Sequence, residues 1–213
     1  AITFSLDLRG DAGPPGASTN GFNENLALFQ LGKCGMWIDA TVAASFVTNP
    51  NDSTVADKVG FALAPDTGKG KRANWLWAWA LAIPAGSDAS DAAKAFIEWA
   101  TSKEYLELVA ENEGWANVPP GSRTSLYENE KYLEAAPFAE MTLQSIKAAD
   151  PNNPTVEPVP YVGIQFVAIP EWAGIGTSAG QEFSAALAGQ QSGEEALEKA
   201  QALVADEMEA AGY

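Results

Sequence analysis

Apolar and polar residues alternate at the start of the chain, Ile2, Phe4, Leu6 and Leu8 against Thr3, Ser5 and Asp7, and a period of two predicts a strand over Ala1 to Leu8. A turn-rich stretch from Gly10 to Gly21 follows. Leu26 and Phe29 stand three apart ahead of Gly32, which predicts a short helix over Phe22 to Gln30 stopped by glycine. Cys34 to Asp39 and Val59 to Pro65 read as apolar strands, the second leading into the glycine-rich loop Asp66 to Arg72. From Asn74 to Pro84 the tryptophans Trp75, Trp77 and Trp79 recur every second residue, which in a strand projects all of them from one face and in a helix scatters them. Ala93, Phe96, Ile97 and Ala100 carry helical spacing over Ser90 to Ala100, and Thr101 to Glu104 has capping-box form for a helix through Val109. Pro119 and Pro120 interrupt the pattern, Ser125 to Ala136 reads as helix, and the prolines of Asp150 to Pro160 predict an extended connection. The capping-box pattern Ser192 to Glu195 opens a final amphipathic helix on Ala196, Leu197, Ala200, Leu203, Val204 and Met208. The mixture predicts an α/β protein without internal repeats.

Composition narrows the chemistry. With 213 residues, 46% of them hydrophobic, the chain is long enough to bury a core. Its 28 Asp and Glu against 12 Lys and Arg give a net charge of −16, a field that repels phosphate backbones, so nucleic acid is excluded as a partner class. There is no histidine, which removes Ser-His-Asp and Cys-His catalysis and His-ligated zinc. The lone Cys34, in an apolar setting, reads as a small buried residue. No apolar run reaches the ~18 residues of a membrane helix, and the chain is expected to be soluble. Beginning at Ala1 within a patterned segment, it reads as a processed protein or a piece of a longer one.

The order of residues from Gly21 to Asp39, with Phe29, Gly32-Lys33, Cys34-Gly35 and Met36, resembles the signature of extracellular solute-binding proteins that serve ABC sugar importers. Ile83-Pro84 followed by Ser90 to Glu104, the loop Val118 to Arg123 and the closing helix are similar to the family in the same order. Asp11 to Gly16 and Trp75 to Trp79 look most like members that bind linear polyols. The resemblance implies a type II two-lobe α/β fold of which this chain is the carboxy-terminal half. It implies residues 1–75 and 125–213 in the second lobe and 76–124 crossing to the first. That crossover carries one expected strand and few helices, too little to cover a sheet on both faces. Its apolar face is expected to meet either a second copy or the missing amino-terminal half.

A polyol offers C–H surface and hydroxyls that both donate and accept, so its site needs flat aromatic faces with a few placed polar groups. Trp75 and Trp77, after a glycine-rich loop at the implied hinge, are the leading candidates against a core role, and Trp115 beside Gly114 is a third. Asp39 can accept ligand hydroxyls at a strand end or cap a helix. Arg123 can fork onto vicinal hydroxyls or form a surface ion pair. Tyr161, Gln165 and Phe22 complete the candidate set, the first two where the resemblance returns an aromatic and a polar group to the cleft. No catalytic residue, metal site or cofactor is expected. The function implied is capture of a small polyhydroxylated solute, outside the cytoplasmic membrane, for delivery to the membrane subunits of an ABC permease. The alternatives are a glycoside hydrolase using carboxylates such as Asp39 and Glu171, and an acidic protein-interaction module.

Overall fold

The computed structural model describes residues 2–213 apart from 67, 73, 122 and 165. The chain packs as two units, Ala1–Trp37 with Phe166–Tyr213, and Ile38–Gln165.

In the first unit, α1 (Ile2–Ala12) and α2 (Phe22–Gln30) join the long pair α8 (Trp172–Leu187) and α9 (Gly193–Ala211). The α8–α9 hairpin buries Ile175 and Ala186 on one helix and Ala196 and Ala200 on the other, and alanine on both helices lets them approach closely. The predicted capping box holds: Ser192 Oγ accepts the Glu195 N–H at 3.1 Å while Glu195 Oε2 accepts the Ser192 N–H at 2.8 Å. These bonds satisfy donors that a helix start leaves without partners. At the other end Gly212 takes φ 85°, the left-handed conformation that glycine adopts freely.

The strand expected over Ala1 to Leu8 is corrected to helix α1. Ile2, Leu6 and Arg9 also fall on one helical face, and that face meets α9. A Cβ placed on Gly193 would stand 2.9 Å from Leu6 Cδ1 and 3.2 Å from Ile2 Cγ2, so glycine there permits the close approach. Arg9 donates to the Leu187 carbonyl at the end of α8, a favourable place for a cation.

The second unit carries α3 (Ala43–Val47), α4 (Ser90–Ala100), α5 (Lys103–Glu113), α6 (Glu130–Ala135) and α7 (Ala139–Ala148), with 3₁₀ turns at Trp115–Asn117 and Thr124–Glu128. Its core gathers Ala44, Leu106, Val118, Leu126, Tyr127, Tyr132 and Phe138. Tyr127 meets Tyr132 edge-on at 5.8 Å, and Phe61 meets Phe138 at 5.6 Å. The helix predicted from Ser125 divides into a 3₁₀ turn and α6, because the Asn129 side chain accepts the N–H groups of Lys131 and Tyr132 and starts a new helix. The cap of α5 is Ser102, one residue after the predicted Thr101.

No strand forms among the described residues, so the strands expected at Cys34 to Asp39, Val59 to Pro65 and Asn74 to Pro84 are corrected too. The α/β expectation is met in its helices alone. A strand is defined by the ladder it shares with a neighbour, whereas a helix bonds within itself. Alternation of side chains can therefore be present without a sheet.

Candidate functional site

Alternation in the 74–84 segment has its predicted effect on the side chains. Trp75 and Trp77 meet edge-on with centroids 5.1 Å apart and planes at 82°, and Trp77 meets Trp79 at 5.5 Å and 58°. The indoles form one row, and its members are 60%, 50% and 89% exposed. Such a row offers exposed indole surface, faces and edges, to C–H groups.

The base of this row is tethered. Arg72 pairs with Asp66 at 3.7 Å and donates to the Ala64 carbonyl, while Asp66 Oδ1 accepts the Gly68 N–H at 2.9 Å. Asn74 Nδ2 donates to the Ser145 carbonyl at 3.0 Å on α7. Tyr161 is exposed, in a loop closed by the Gly163 N–H donating to the Pro151 carbonyl at 2.7 Å.

The other candidates are dispersed. Arg123 Nε donates to the Thr101 carbonyl at 2.5 Å, at the junction of α4 and α5. There Glu104 lies below the ordinary carboxylate range, held first by its own backbone N–H and next by the Ser102 hydroxyl, with the Arg123 charge a lesser cause. Asp39 is exposed and its Oδ1 accepts the neighbouring Ala40 N–H at 2.7 Å; it caps no helix, since the residue before α3 is Val42. Phe22 begins α2 in the first unit and packs on Trp37 at 5.4 Å. Gln165 lies outside the described residues.

Trp115 lies apart from the indole row. Half-buried against the core, it lines an open cleft of about 490 Å³ with Glu107, Glu111, Asn129, Glu130 and Lys131. Glu107 and Glu111 stand one helical turn apart on α5, a signal legible in the sequence though not drawn into the candidate set. Beneath, the Tyr132 phenol is pushed up to about 12, by burial first and by Tyr127 second. Among the described residues no group of three or more potential ligands could hold a metal ion, and no helix is long and apolar enough to cross a membrane.

Against this geometry stand the comparisons with known proteins. Residues 1–107 match the family described as bacterial extracellular solute-binding protein. A mannitol-binding protein of Pseudomonas aeruginosa is 60% identical over 213 residues, which is all of this chain and 49% of that protein. A probable amino-acid ABC transporter periplasmic-binding protein of Sinorhizobium fredii is 23% identical over 163 residues, 76% of this chain and 35% of its own length. Among solved structures, an ABC transporter solute-binding protein from Agrobacterium vitis S4 with bound D-mannitol is 70% identical and superposes with a TM-score of 0.94. That match covers 100% of this chain and 51% of the solved chain. The chain thus spans about half the length of the mannitol-related proteins it matches.

Proposed function

We propose, since this chain belongs to the bacterial extracellular solute-binding protein family, that it is the carboxy-terminal half of a two-lobe binding protein that captures a sugar alcohol for an ABC importer. The observation that carries the reading is the match of the whole chain to a structure holding D-mannitol, and the indole row supplies suitable chemistry. Linear hexitols present C–H edges to Trp75 and Trp77 while their hydroxyls seek donors and acceptors of the kind Asp39, Arg123, Tyr161 and Gln165 provide. Trp115 and Phe22 remain in the proposed set as aromatic surfaces. The protein works outside the cytoplasmic membrane, and its partners are the solute and the permease subunits. No bond is made or broken. The relatives are binding proteins, which sets aside the hydrolase alternative.

The lobe division belongs to the same proposal, 76–124 in one lobe and 1–75 with 125–213 in the other. Closure then requires a ligand that contacts both lobes and favours the closed state.

A thermal-shift panel on the full-length protein tests the reading. At 100-fold excess over Kd a hexitol stabilises by about 2.7 kcal/mol, more than any disaccharide. Stabilisation by amino acids or metal ions alone overturns it.

A further inference from the structure

We propose that Lys71 is a positioning residue for the tryptophan row: its ammonium clasps the 150–155 turn to the base of the Trp75 segment and so fixes Trp75 and Trp77 relative to the Tyr161 loop. The proposal rests on the polyol-binding reading above, in which Lys71 touches no ligand.

Lys71 Nζ donates to two backbone carbonyls remote in sequence, those of Asn153 and of Thr155, the second at 3.0 Å. Those carbonyls are presented by a turn that Asp150 organises. Asp150 Oδ2 accepts from the Asn153 side-chain amide at 3.0 Å, and Oδ1 accepts the N–H groups of Asn152 and Asn153 at 3.1 Å each. The carboxyl is held below its ordinary range by that side-chain amide first and, as the smallest cause, by the Lys71 charge. Ordering a long lysine stem costs rotamer freedom, which two carbonyls and a nearby carboxylate offset.

The clasp ties together two aromatic arms. On one side, Trp75 lies four residues after Lys71, and Asn74 adds its own bond to the Ser145 carbonyl. On the other, the turn continues into a closed loop, in which the Gly163 N–H bonds the Pro151 carbonyl and a Cβ on Gly163 would collide with Pro154. Tyr161 sits two residues before that closure. Without Lys71, each arm keeps its local bonds, but the link from residue 71 to residues 153 and 155 is gone. The row would then sample orientations that the bound state must select against, which lowers affinity without removing a ligand contact.

The test uses the full-length protein with Lys71→Met, which keeps most of the stem and removes the donor, Lys71→Ala as a second variant, and Lys71→Arg as the conservative one. Two quantities are read: Kd for D-mannitol by calorimetry, and the circular-dichroism couplet of the edge-on indoles without ligand. Lys71→Met is expected to raise Kd about tenfold, the cost of a lost pre-organisation, and to weaken the couplet, with Lys71→Arg restoring both. Wild-type Kd and couplet in Lys71→Met and Lys71→Ala overturn the proposal, as does a loss that Lys71→Arg fails to rescue. If the wild-type protein does not bind D-mannitol, the polyol reading fails, and the ligand-free couplet alone decides the clasp.

Discussion

Tyr132 and Trp77 are large aromatic residues of the same packing unit, yet one is 0% and the other 50% exposed. Around Tyr132, helices and 3₁₀ turns bring Leu106, Val118, Leu126 and Phe138 into contact. Each of those helices bonds its own backbone, and the residues that bury it lie within this chain. Around Trp77 the neighbours in the row are Trp75 and Trp79, themselves exposed, on a segment written for one face of a sheet. The two regions therefore depend on different things. The first is specified by residues within this chain, and on the proposed function the second is patterned for surfaces beyond it, a ligand and the rest of a two-lobe protein.

The largest expected effect breaks the first region. Tyr132→Ala should cost about 4 kcal/mol, as truncating a buried aromatic residue does, and lower Tm in calorimetry. Tyr132→Phe should cost nothing, because the Tyr132 hydroxyl is buried without a hydrogen-bond partner among the described residues. Alkali probes the same residue. With its pKa pushed up to about 12 from the ordinary 10, the buried phenol resists an ionisation that the unfolded chain undergoes, so stability is unaffected below pH 10 and falls as pH rises toward 12. Tyr132→Phe should therefore flatten the alkaline limb of a stability curve. A hydroxyl deletion as costly as the full truncation would contradict the packing described.

Next in size is Trp75→Ala in the full-length protein. Roughly 100 Å² of indole against C–H groups is worth about 2.5 kcal/mol, so Kd for D-mannitol should rise about 70-fold while Tm stays put. Lowered Tm with unchanged affinity would make Trp75 a core residue and dissolve the contrast with Tyr132.

The smallest effect lies in neither region and serves as a control. Ser192→Ala should cost about 1 kcal/mol of stability, the usual loss of a helix cap, without altering affinity. The Glu195 carboxyl is held below its ordinary value by the Ser192 backbone N–H first and its hydroxyl second. Its contribution is thus present above the ordinary carboxylate range and lost as pH falls through the lowered value. Ser192→Ala should reduce that acid dependence.

Legibility followed the same division. Ser192 with Glu195, and Ala93 with Phe96 and Ile97, carry caps or spacings that act locally, and the helices they predict are present. The pattern Ile2-Phe4-Leu6-Leu8 has the period of a strand, yet in helix α1 Ile2 and Leu6 share a face that meets Gly193, remote in sequence, while Phe4 and Leu8 stay exposed. Helix α8 was not legible because Gly174, Gly176 and Gly180 depress helical propensity and its buried contacts come from α9. At the candidate site, the alternation of Trp75, Trp77 and Trp79 was readable, whereas the bond from Lys71 to residues 153 and 155 joins segments that no local pattern connects.

Hydrogen exchange by mass spectrometry, on this 213-residue chain alone and within the full-length protein, tests the contrast most directly. Amides of α5 through α7 should be protected in both, while those of residues 75–83 should gain protection only in the full-length protein, and further on adding D-mannitol. Equal, strong protection of 75–83 in the isolated chain would contradict the account, since that segment would then be completed by this chain itself.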